Sequence, residues 1–548
     1  MSRCPVRTPA VAPRRLPGAR CLLGLLLAGA CARVDPPAPV TVRALPPSER
    51  ENVSPPAGAG AAARRPPTEQ RGLGPDAPPP SGPSAELLTD LTVEQALVLA
   101  LRNDPELQVR TFGPVEAGTF TELERGVFDP ELFVEARYLR ERASQTARAT
   151  RERFDVTGES SEETIGVRQQ FPTGTTLELL LRHRLDVSDR TPPQNEARIG
   201  LSVTQSLLRG LGPAVNLAAI RQAELESRAS FHLLQAFTAS VLAETEIAYW
   251  TLALAQAEEE TVRRALQVAE QEAAALKDRV EVGLLPEVDR AAAEAEVAAR
   301  RQALVDAVAR REAAELRLEG RIARRFDAPV KPSSPVQAGG PAVEDLRARV
   351  VLALERRPEL GEARARLEQG ELEVVVTENG LLPRLDAFVD LGKTGFDARF
   401  GGALAQLDSP TFDLQAGLSL SYALGQRAAG ARYSRAQVSR RRSRIALENL
   451  ERQIRLEVRL AANELERARG QVVASEATRD ARAATVEAEK ARLEVGTGTA
   501  LALAQARRDL LDSELAVLRA AVDTRVATVR LYLAEGTLLP RRGIVVED

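Results

Sequence analysis

The length, composition and charge of the chain exclude several classes of protein. It has 548 residues, of which 44% are hydrophobic and only 3% aromatic, and its formal net charge is -3. This charge balance argues against a nucleic-acid binder with a generally basic surface, and abundant Ala, Leu, Glu and Arg favour long helices. Two His and three Cys cannot build a site from several Cys and His ligands, and we expect no metal, no cofactor and no enzymatic activity.

Residues 1–30 have the pattern of a signal peptide. A basic flank ending at Arg20 precedes an apolar run of about ten residues, whereas a transmembrane helix needs about 20. Small residues at 28–30 fit a peptidase cleft, and Cys31 follows at once. Two outcomes fit this pattern: a lipoprotein signal, in which Cys31 is acylated and becomes the new N-terminus, or ordinary cleavage that leaves an unlipidated thiol. Both outcomes predict export.

Residues 31–88 are a predicted tether without regular structure. The segment is rich in Pro, Ala, Gly and Arg and shows little hydrophobic periodicity. Such a composition cannot bury enough apolar area to offset the entropy that is lost on ordering. No later stretch reaches 18 consecutive apolar residues, so the sequence predicts no transmembrane helix. An exported chain of this kind is periplasmic, peripheral or a β-barrel.

The remainder repeats one order of elements, first in residues 89–330 and again in 331–537, before a tail at 538–548. In each half a helix precedes Pro-Glu-Leu, strands follow, and a very long helix, a Gly turn and a returning helix complete the order. An internal duplication is the simplest account. The recurring segments are Ala100-Leu-Arg-Asn-Asp-Pro-Glu-Leu107 with Ala353-Leu-Glu-Arg-Arg-Pro-Glu-Leu360, and Arg279-Val-Glu-Val-Gly283 with Arg492-Leu-Glu-Val-Gly496.

Several segments alternate apolar and polar residues, which is the period of a strand with one apolar face. A tilted membrane strand requires about 9–11 residues, and several segments approach this length. A soluble sandwich would show the same alternation. Export, and the separation of these segments along the chain, favour a transmembrane barrel completed by other subunits. The segments lie at 132–138, 177–182, 198–204, 384–391 and 413–424.

Residues 216–280 and 431–495 predict two helices of unusual length, each roughly 95 Å at about 1.5 Å rise per residue. A heptad seam runs from Val262 to Val280 in the first helix. The second carries an almost pure Ala seam from Ala474 to Val495, which lets packed helix backbones approach closely. With returning helices at 287–323 and 500–535, the sequence predicts two antiparallel hairpins attached to strands.

In this order the motifs resemble the TolC-type outer-membrane efflux family over about residues 90–537. The resemblance implies an α+β membrane protein in which long antiparallel helices form a coiled-coil tunnel and the strands of a homotrimer share one transmembrane β-barrel. Besides the two Gly turns, the segments that carry it are Leu91-Thr-Val-Glu-Gln-Ala-Leu97, Gln205-Ser-Leu-Leu-Arg-Gly210, Ala248-Tyr-Trp250 and Leu424-Gly-Gln-Arg427.

The same resemblance implies a function and partners. The chain would be a channel subunit of a tripartite efflux or type I secretion system, a passive conduit across the periplasm and outer membrane of a Gram-negative bacterium. Its partners would be further copies of itself, a periplasmic adaptor protein, an inner-membrane transporter and outer-membrane lipid, with no nucleic acid. Family members with a lipoprotein signal are common, which favours acylation of Cys31.

The resemblance also implies that the two hairpin turns form periplasmic tips that meet the adaptor. Asp289 falls where the family often has an acidic residue near the pore entrance, although the helix dipole alone also favours a carboxylate in the first turn of a helix. The dipole likewise favours a cation at the end of a helix. The residues that match the tips are Arg279, Gly283 and Leu284 at the first turn, and Arg492, Gly496 and Thr497 at the second.

Two other functions fit parts of the sequence. A periplasmic structural coiled coil without a pore would show the same long helices. Ala387-Phe-Val-Asp-Leu-Gly-Lys-Thr394 fits a permissive phosphate-binding loop, but it continues an alternating strand and no helix begins after it, which disfavours a nucleotide-dependent enzyme. We interpret the basic cluster at 440–444 as a solvated or membrane-proximal helix face, because no aromatic residues interleave for base stacking.

Overall fold

Long helices, one six-stranded antiparallel sheet and two pairs of short strands make up the fold of the described residues. The computed structural model describes residues 38–44, 90–146, 151, 153–189, 191–282, 286–323, 330–336 and 345–547. All the helices and strands of these residues lie in one unit, Val40–Asp548. The predicted signal peptide and Cys31 lie outside the described residues.

The elements follow the order predicted from the sequence. The first half contains β1 (Thr41–Ala44), β2 (Asp90–Leu91), α1 (Val93–Asn103), α2 (Pro105–Arg110), α3 (Phe112–Arg125), β3 (Glu131–Thr146), β4 (Arg153–Gln170), β5 (Thr175–Ser188), β6 (Gln194–Ser206), α4 (Pro213–Asn216), α5 (Ala218–Glu281) and α6 (Glu287–Ile322). The second contains β7 (Lys331–Pro332), α7 (Leu346–Arg356), α8 (Pro358–Asn379), β8 (Arg384–Asp397), α9 (Phe400–Ala405), β9 (Asp413–Ser421), α10 (Arg427–Glu494), α11 (Ala500–Ala534), α12 (Leu538–Arg541) and β10 (Ile544–Glu547).

Both copies of the Pro-Glu-Leu motif mark a break between two helices. Pro105 and Pro358 occupy the first positions of α2 and α8, where a helix has no intrahelical partner for an N–H group in any case. Asp104 caps α2, since its side chain accepts a hydrogen bond from the backbone N–H of Leu107 at 2.9 Å. The motif therefore ends one helix and starts the next within two residues.

Strands β3, β4, β5, β6, β8 and β9 form one six-stranded antiparallel sheet in that order. The predicted alternating segments lie in this sheet, with β3 and β9 at its edges. Strand β9 ends at Ser421, earlier than the predicted residue 424. The reason is local: Gln426 adopts a left-handed conformation with φ of 44° and turns the chain into α10.

The largest hydrophobic core surrounds the middle of α5. The fully buried Tyr249 packs edge-on against Trp250 with ring centroids 5.4 Å apart. Its hydroxyl donates to the Leu91 carbonyl at 2.9 Å and accepts from the Ser334 N–H at 3.1 Å. These bonds satisfy the polar end of a buried ring and fasten α5 to the chain around β2 and β7. Within the described parts of the chain, no helix is both long and apolar enough to cross a membrane.

Two short strands near the chain ends pair with each other. Strand β1 is antiparallel to β10, and Arg43 Nη2 lies 2.6 Å from Glu547 Oε1. Val40 and Val546 are buried beside this ladder. The structure therefore differs here from the expected irregular tether and tail. Each strand supplies the backbone partners that the other lacks, which a local sequence pattern does not reveal.

The heptad seams of the two long helices have different surroundings. Val262 of α5 is buried against Leu511 and Leu515 of α11. The packed face of α10 contains Ile454, Val458, Ala462, Leu465 and Val472. At about 100° per residue the Ala seam lies on the opposite face. Helix α11 packs on the other face of α10, so the seam takes no part in the packing of the described residues. The exposed seam residues are Ala474, Ala477, Ala481, Ala484, Ala488 and Ala491.

Candidate functional site

One face of the six-stranded sheet is an exposed apolar band. Residues that pair across an antiparallel sheet project from the same face, so a row of pairs defines a surface. One row crosses all six strands, contains only Leu and Val, and has side chains between 38% and 61% exposed. We call this row the apolar band. Its members are Leu132, Val167, Leu179, Leu201, Leu391 and Leu414.

The opposite face of the sheet is polar at the same level. The neighbouring row, displaced by one residue along each strand, contains Glu131, Arg168, Glu178, Ser202, Asp390 and Gln415. Arg168 Nε and Glu178 Oε2 form an ion pair of 2.8 Å on this face. A sheet with one apolar and one polar face can separate hydrocarbon from water, which is the pattern of transmembrane barrel strands.

The first hairpin turn connects α5 to α6. Arg279 is exposed in the last turn of α5, and the N–H of Val282 caps the helix by donating to Asp278 at 3.2 Å. Asp289 lies in the first turn of α6 together with Glu287, where the partial positive charge of the helix start favours carboxylates. The predicted tip residues Gly283 and Leu284 lie outside the described residues.

The second hairpin turn is closed by backbone hydrogen bonds. Gly496 has φ of 77°, a conformation that strains any residue with a Cβ atom. The N–H groups of Thr497 and Gly498 both donate to the Arg492 carbonyl, at 2.9 and 3.0 Å. Thr499 then caps α11 by accepting from the N–H of Ala502 at 3.2 Å. Thr497 and the side chain of Arg492 are exposed, and both have partners within the turn region: the Thr497 hydroxyl donates to the Arg492 carbonyl at 3.3 Å, and Arg492 Nη1 lies 2.7 Å from Glu489 Oε1.

A cavity of about 340 Å³ lies between the two hairpins, where α5, α6, α10 and α11 line it. Ion pairs bridge the hairpins around it: Arg508 Nη2 lies 2.9 Å from Glu296 Oε2, and Arg507 contacts Glu272. Burial lowers the pKa of Arg507, whereas the hydrogen bond with Glu296 raises the pKa of Arg508. Ion pairs therefore add to the apolar contacts between the two hairpins, such as that of Val262 with Leu511.

The phosphate-loop pattern lies in a strand. Residues 387–394 all belong to β8, and Lys393 Nζ donates to the Ser409 carbonyl at 3.2 Å. A strand does not form the nest of successive N–H groups that cradles a phosphate. Among the described residues, no three His, Cys, Asp or Glu side chains lie close enough together to hold a metal ion.

A second cavity, of about 1220 Å³, lies where the sheet meets the helices and was not predicted from the sequence. Its lining contains Arg209, Arg384, Arg427 and Arg432, which come from three separate segments. One signal in the sequence could have pointed to it. No Asp or Glu occurs between Asp413 and Glu448, although seven Arg do.

Comparisons with known proteins agree with this geometry. Residues 350–537 match the family model described as outer membrane efflux protein. Over these residues, about a third of the chain, the match confirms the resemblance to the TolC-type outer-membrane efflux family. No curated protein matches the sequence of the chain.

Solved structures of outer-membrane channels share the fold, with long helices and a sheet. The channel OprN has a TM-score of 0.59 and 19% identity, over 81% of this chain and 89% of that one. The Campylobacter jejuni channel CmeC has a TM-score of 0.56 and 17% identity, over 81% and 86%. The open state of the Neisseria gonorrhoeae channel MtrE has a TM-score of 0.57 and 18% identity, over 82% and 90%.

Proposed function

We propose that this chain is one subunit of a homotrimeric outer-membrane efflux channel, a passive conduit across the periplasm and the outer membrane. The family match supports the channel class. The observation that carries the proposal is the apolar band, which crosses six strands and is exposed on one face while the other face is polar. A periplasmic structural coiled coil without a pore has no use for such a surface.

Three copies would satisfy surfaces that one copy leaves exposed. The edge strands β3 and β9 need further backbone partners in lipid, where open sheet edges are not tolerated. Closing the strands of three copies into one barrel provides these partners. The exposed Ala seam of α10 offers a second contact, because small side chains let a helix of a neighbouring copy approach closely.

The hairpin turns would face the periplasm, where the channel meets a periplasmic adaptor protein and, through it, an inner-membrane transporter of a tripartite efflux or type I secretion system. Arg279, Arg492 and Thr497 are exposed at these turns. Asp289 would stand near the pore entrance. Acylation of Cys31 would add a lipid anchor in the outer membrane.

Adjacent residues of β6 provide the test. Leu201 belongs to the apolar band and Ser202 to the polar row. A cation at the lipid midplane costs about 2–4 kcal/mol per copy, so we expect Leu201→Arg to lose both the trimer and the conductance. Ser202→Arg, which adds the same charge on the polar face, should retain both. The measurements are light scattering of the purified protein in detergent and single-channel conductance in a planar bilayer. A wild-type protein that is monomeric in water and shows no conductance would contradict the proposal.

A further inference from the structure

The cavity at the junction of sheet and helices concentrates positive charge. Arg384 pairs with Asp386 at 2.7 Å. Arg209, Arg427 and Arg432 form no ion pair with any other described residue. The one carboxylate in the lining, Glu373, accepts a hydrogen bond from Gln222 at 3.3 Å and forms no ion pair with a described residue.

The segment that carries Arg427 and Arg432 has no carboxylate of its own to neutralise these groups. All charged residues between Asp413 and Glu448 are Arg, and Arg427 and Arg432 are the first two of them. Guanidinium groups that share one cavity repel one another, and they remain charged at every accessible pH. An anion in the cavity would remove this repulsion, and phosphate matches the fork of N–H donors on Arg.

Hydrogen bonds hold the frame of the cavity in place. Asn379 Oδ1 accepts from the N–H of Gly210 at 2.8 Å, and the N–H of Arg209 donates to the Pro383 carbonyl at 3.3 Å. Gln426 Nε2 donates to the Leu381 carbonyl at 3.0 Å. The segments that carry Arg209, Arg384 and Arg427 are thus joined to one another. A ligand would meet a site that is already formed and would lose little affinity to ordering it.

An apolar surface leads from the sheet to the same cavity. The face of β9 that carries Leu414 of the apolar band continues through the exposed Leu418 and Leu420. Tyr422 lines the cavity, and Leu424 beside it is 93% exposed. A ligand with a phosphate head and a hydrocarbon tail fits both surfaces, whereas free phosphate would use only the cavity. Tyr at such a boundary is typical of the level of lipid headgroups.

We propose that this cavity binds the headgroup phosphate of an anionic phospholipid, whose acyl chains lie along the apolar face of β9. The inference rests on the proposed function, because a sheet embedded in the outer membrane puts the helix junction at the level of the inner-leaflet headgroups. The guanidinium groups of Arg209, Arg427 and Arg432 would contact the phosphate. Arg384 would complete the rim while it keeps its pair with Asp386.

Short-chain lipids that stay monomeric in detergent test the site. Binding of dihexanoyl-phosphatidylglycerol to the full-length purified protein is measured by native mass spectrometry and by the thermal shift it causes. We expect Arg427→Gln/Arg432→Gln to weaken this binding by about tenfold or more, because two charge-assisted hydrogen bonds are lost. The matched control is Arg441→Gln/Arg442→Gln, which removes the same charge from exposed positions of α10 outside the cavity and should change the affinity by less than about twofold.

Titrations with two further ligands distinguish a lipid headgroup from free phosphate. Inorganic phosphate and dihexanoyl-phosphatidylcholine are titrated against the same preparations. Both should bind at least about tenfold more weakly than dihexanoyl-phosphatidylglycerol. If inorganic phosphate binds as tightly as the lipid, the lipid assignment is wrong. If both double variants lose lipid affinity equally, the binding site does not lie in this cavity. Conductance of the same wild-type sample separates the two proposals. A conducting channel without lipid selectivity contradicts only the site, whereas a protein that binds the lipid without conducting supports the site and contradicts the channel.

Discussion

Helices α5 and α10 have nearly the same length, 64 and 68 residues, and both carry heptad seams, yet their surroundings differ. The side chains of α5 include Tyr249, Trp250 and Leu252 at the centre of the largest core. Helix α10 leaves large side chains such as Val438, Leu456 and Val473 exposed, and its Ala seam faces away from the rest of the chain. The core partners of α5 lie in its own chain, whereas the partner of the Ala seam of α10 is expected in another copy.

The difference shows that similar heptad patterns can serve two levels of structure. A buried seam stabilises one subunit and is needed wherever the subunit folds. An exposed seam of small residues contributes little to one subunit and gains its value on assembly, where close approach of backbones matters. Variants in the two helices should therefore separate folding from assembly.

The largest effect is expected on assembly. Ala477→Glu/Ala484→Glu puts two carboxylates on the exposed seam of α10, where they would be buried without partners between copies. We expect the trimer to be lost while the helix content of each subunit is kept, as measured by light scattering and circular dichroism.

Thr478→Glu/Thr485→Glu is the matched control for the seam. It adds the same charges one residue further along the same helix, at exposed positions beside the seam. This variant should remain trimeric. If both double variants assemble equally well, the Ala seam is not the contact between copies.

The next effect concerns the stability of one subunit. Leu252 of α5 is fully buried, and Leu252→Ala should lower the free energy of unfolding by about 2–5 kcal/mol because it leaves a cavity in the core. Leu456 of α10 is 56% exposed, and Leu456→Ala should change the free energy of unfolding by less than about 0.5 kcal/mol. Denaturant unfolding followed by far-ultraviolet circular dichroism compares the two. Equal losses would contradict the proposed division between the helices.

The smallest effect concerns an exposed ion pair on α10. The side-chain hydrogen bond from Arg467 lowers the pKa of Glu464 below its ordinary value of 4.5. The contribution of the Glu464–Arg467 pair to stability is therefore present above the ordinary pKa of Glu464. It is lost as the pH falls through the lowered pKa of the folded protein. We expect Arg467→Ala to be slightly less stable than wild type at pH 7, with the difference vanishing as the pH falls through the lowered pKa of Glu464. Thermal unfolding across this range measures it, and Arg441→Ala should show no such pH dependence.

The sequence predicted the elements of the fold because their periods are strong and local. The two long helices have nearly the predicted bounds, whereas most strands run beyond the predicted alternating segments and β4 (Arg153–Gln170) was not predicted. It did not predict strands β1 and β10, since neither has a partner nearby in the sequence. Heptad spacing predicts that a helix has a seam, but not which helix meets it, and so the exposure of the Ala seam of α10 did not follow from the sequence. The cavity with four Arg was missed because its lining comes from separate segments that only the fold brings together.

The ladder between β1 and β10 joins two distant parts of the chain. Arg43 and Glu547 are 504 residues apart, so the last described strand is the partner of the first. Contacts over such a distance are slow to form. A polypeptide that stops before residue 544 would leave Val40 and the backbone of β1 without their neighbours. Such a truncated chain would present an unpaired strand that proteases can cleave.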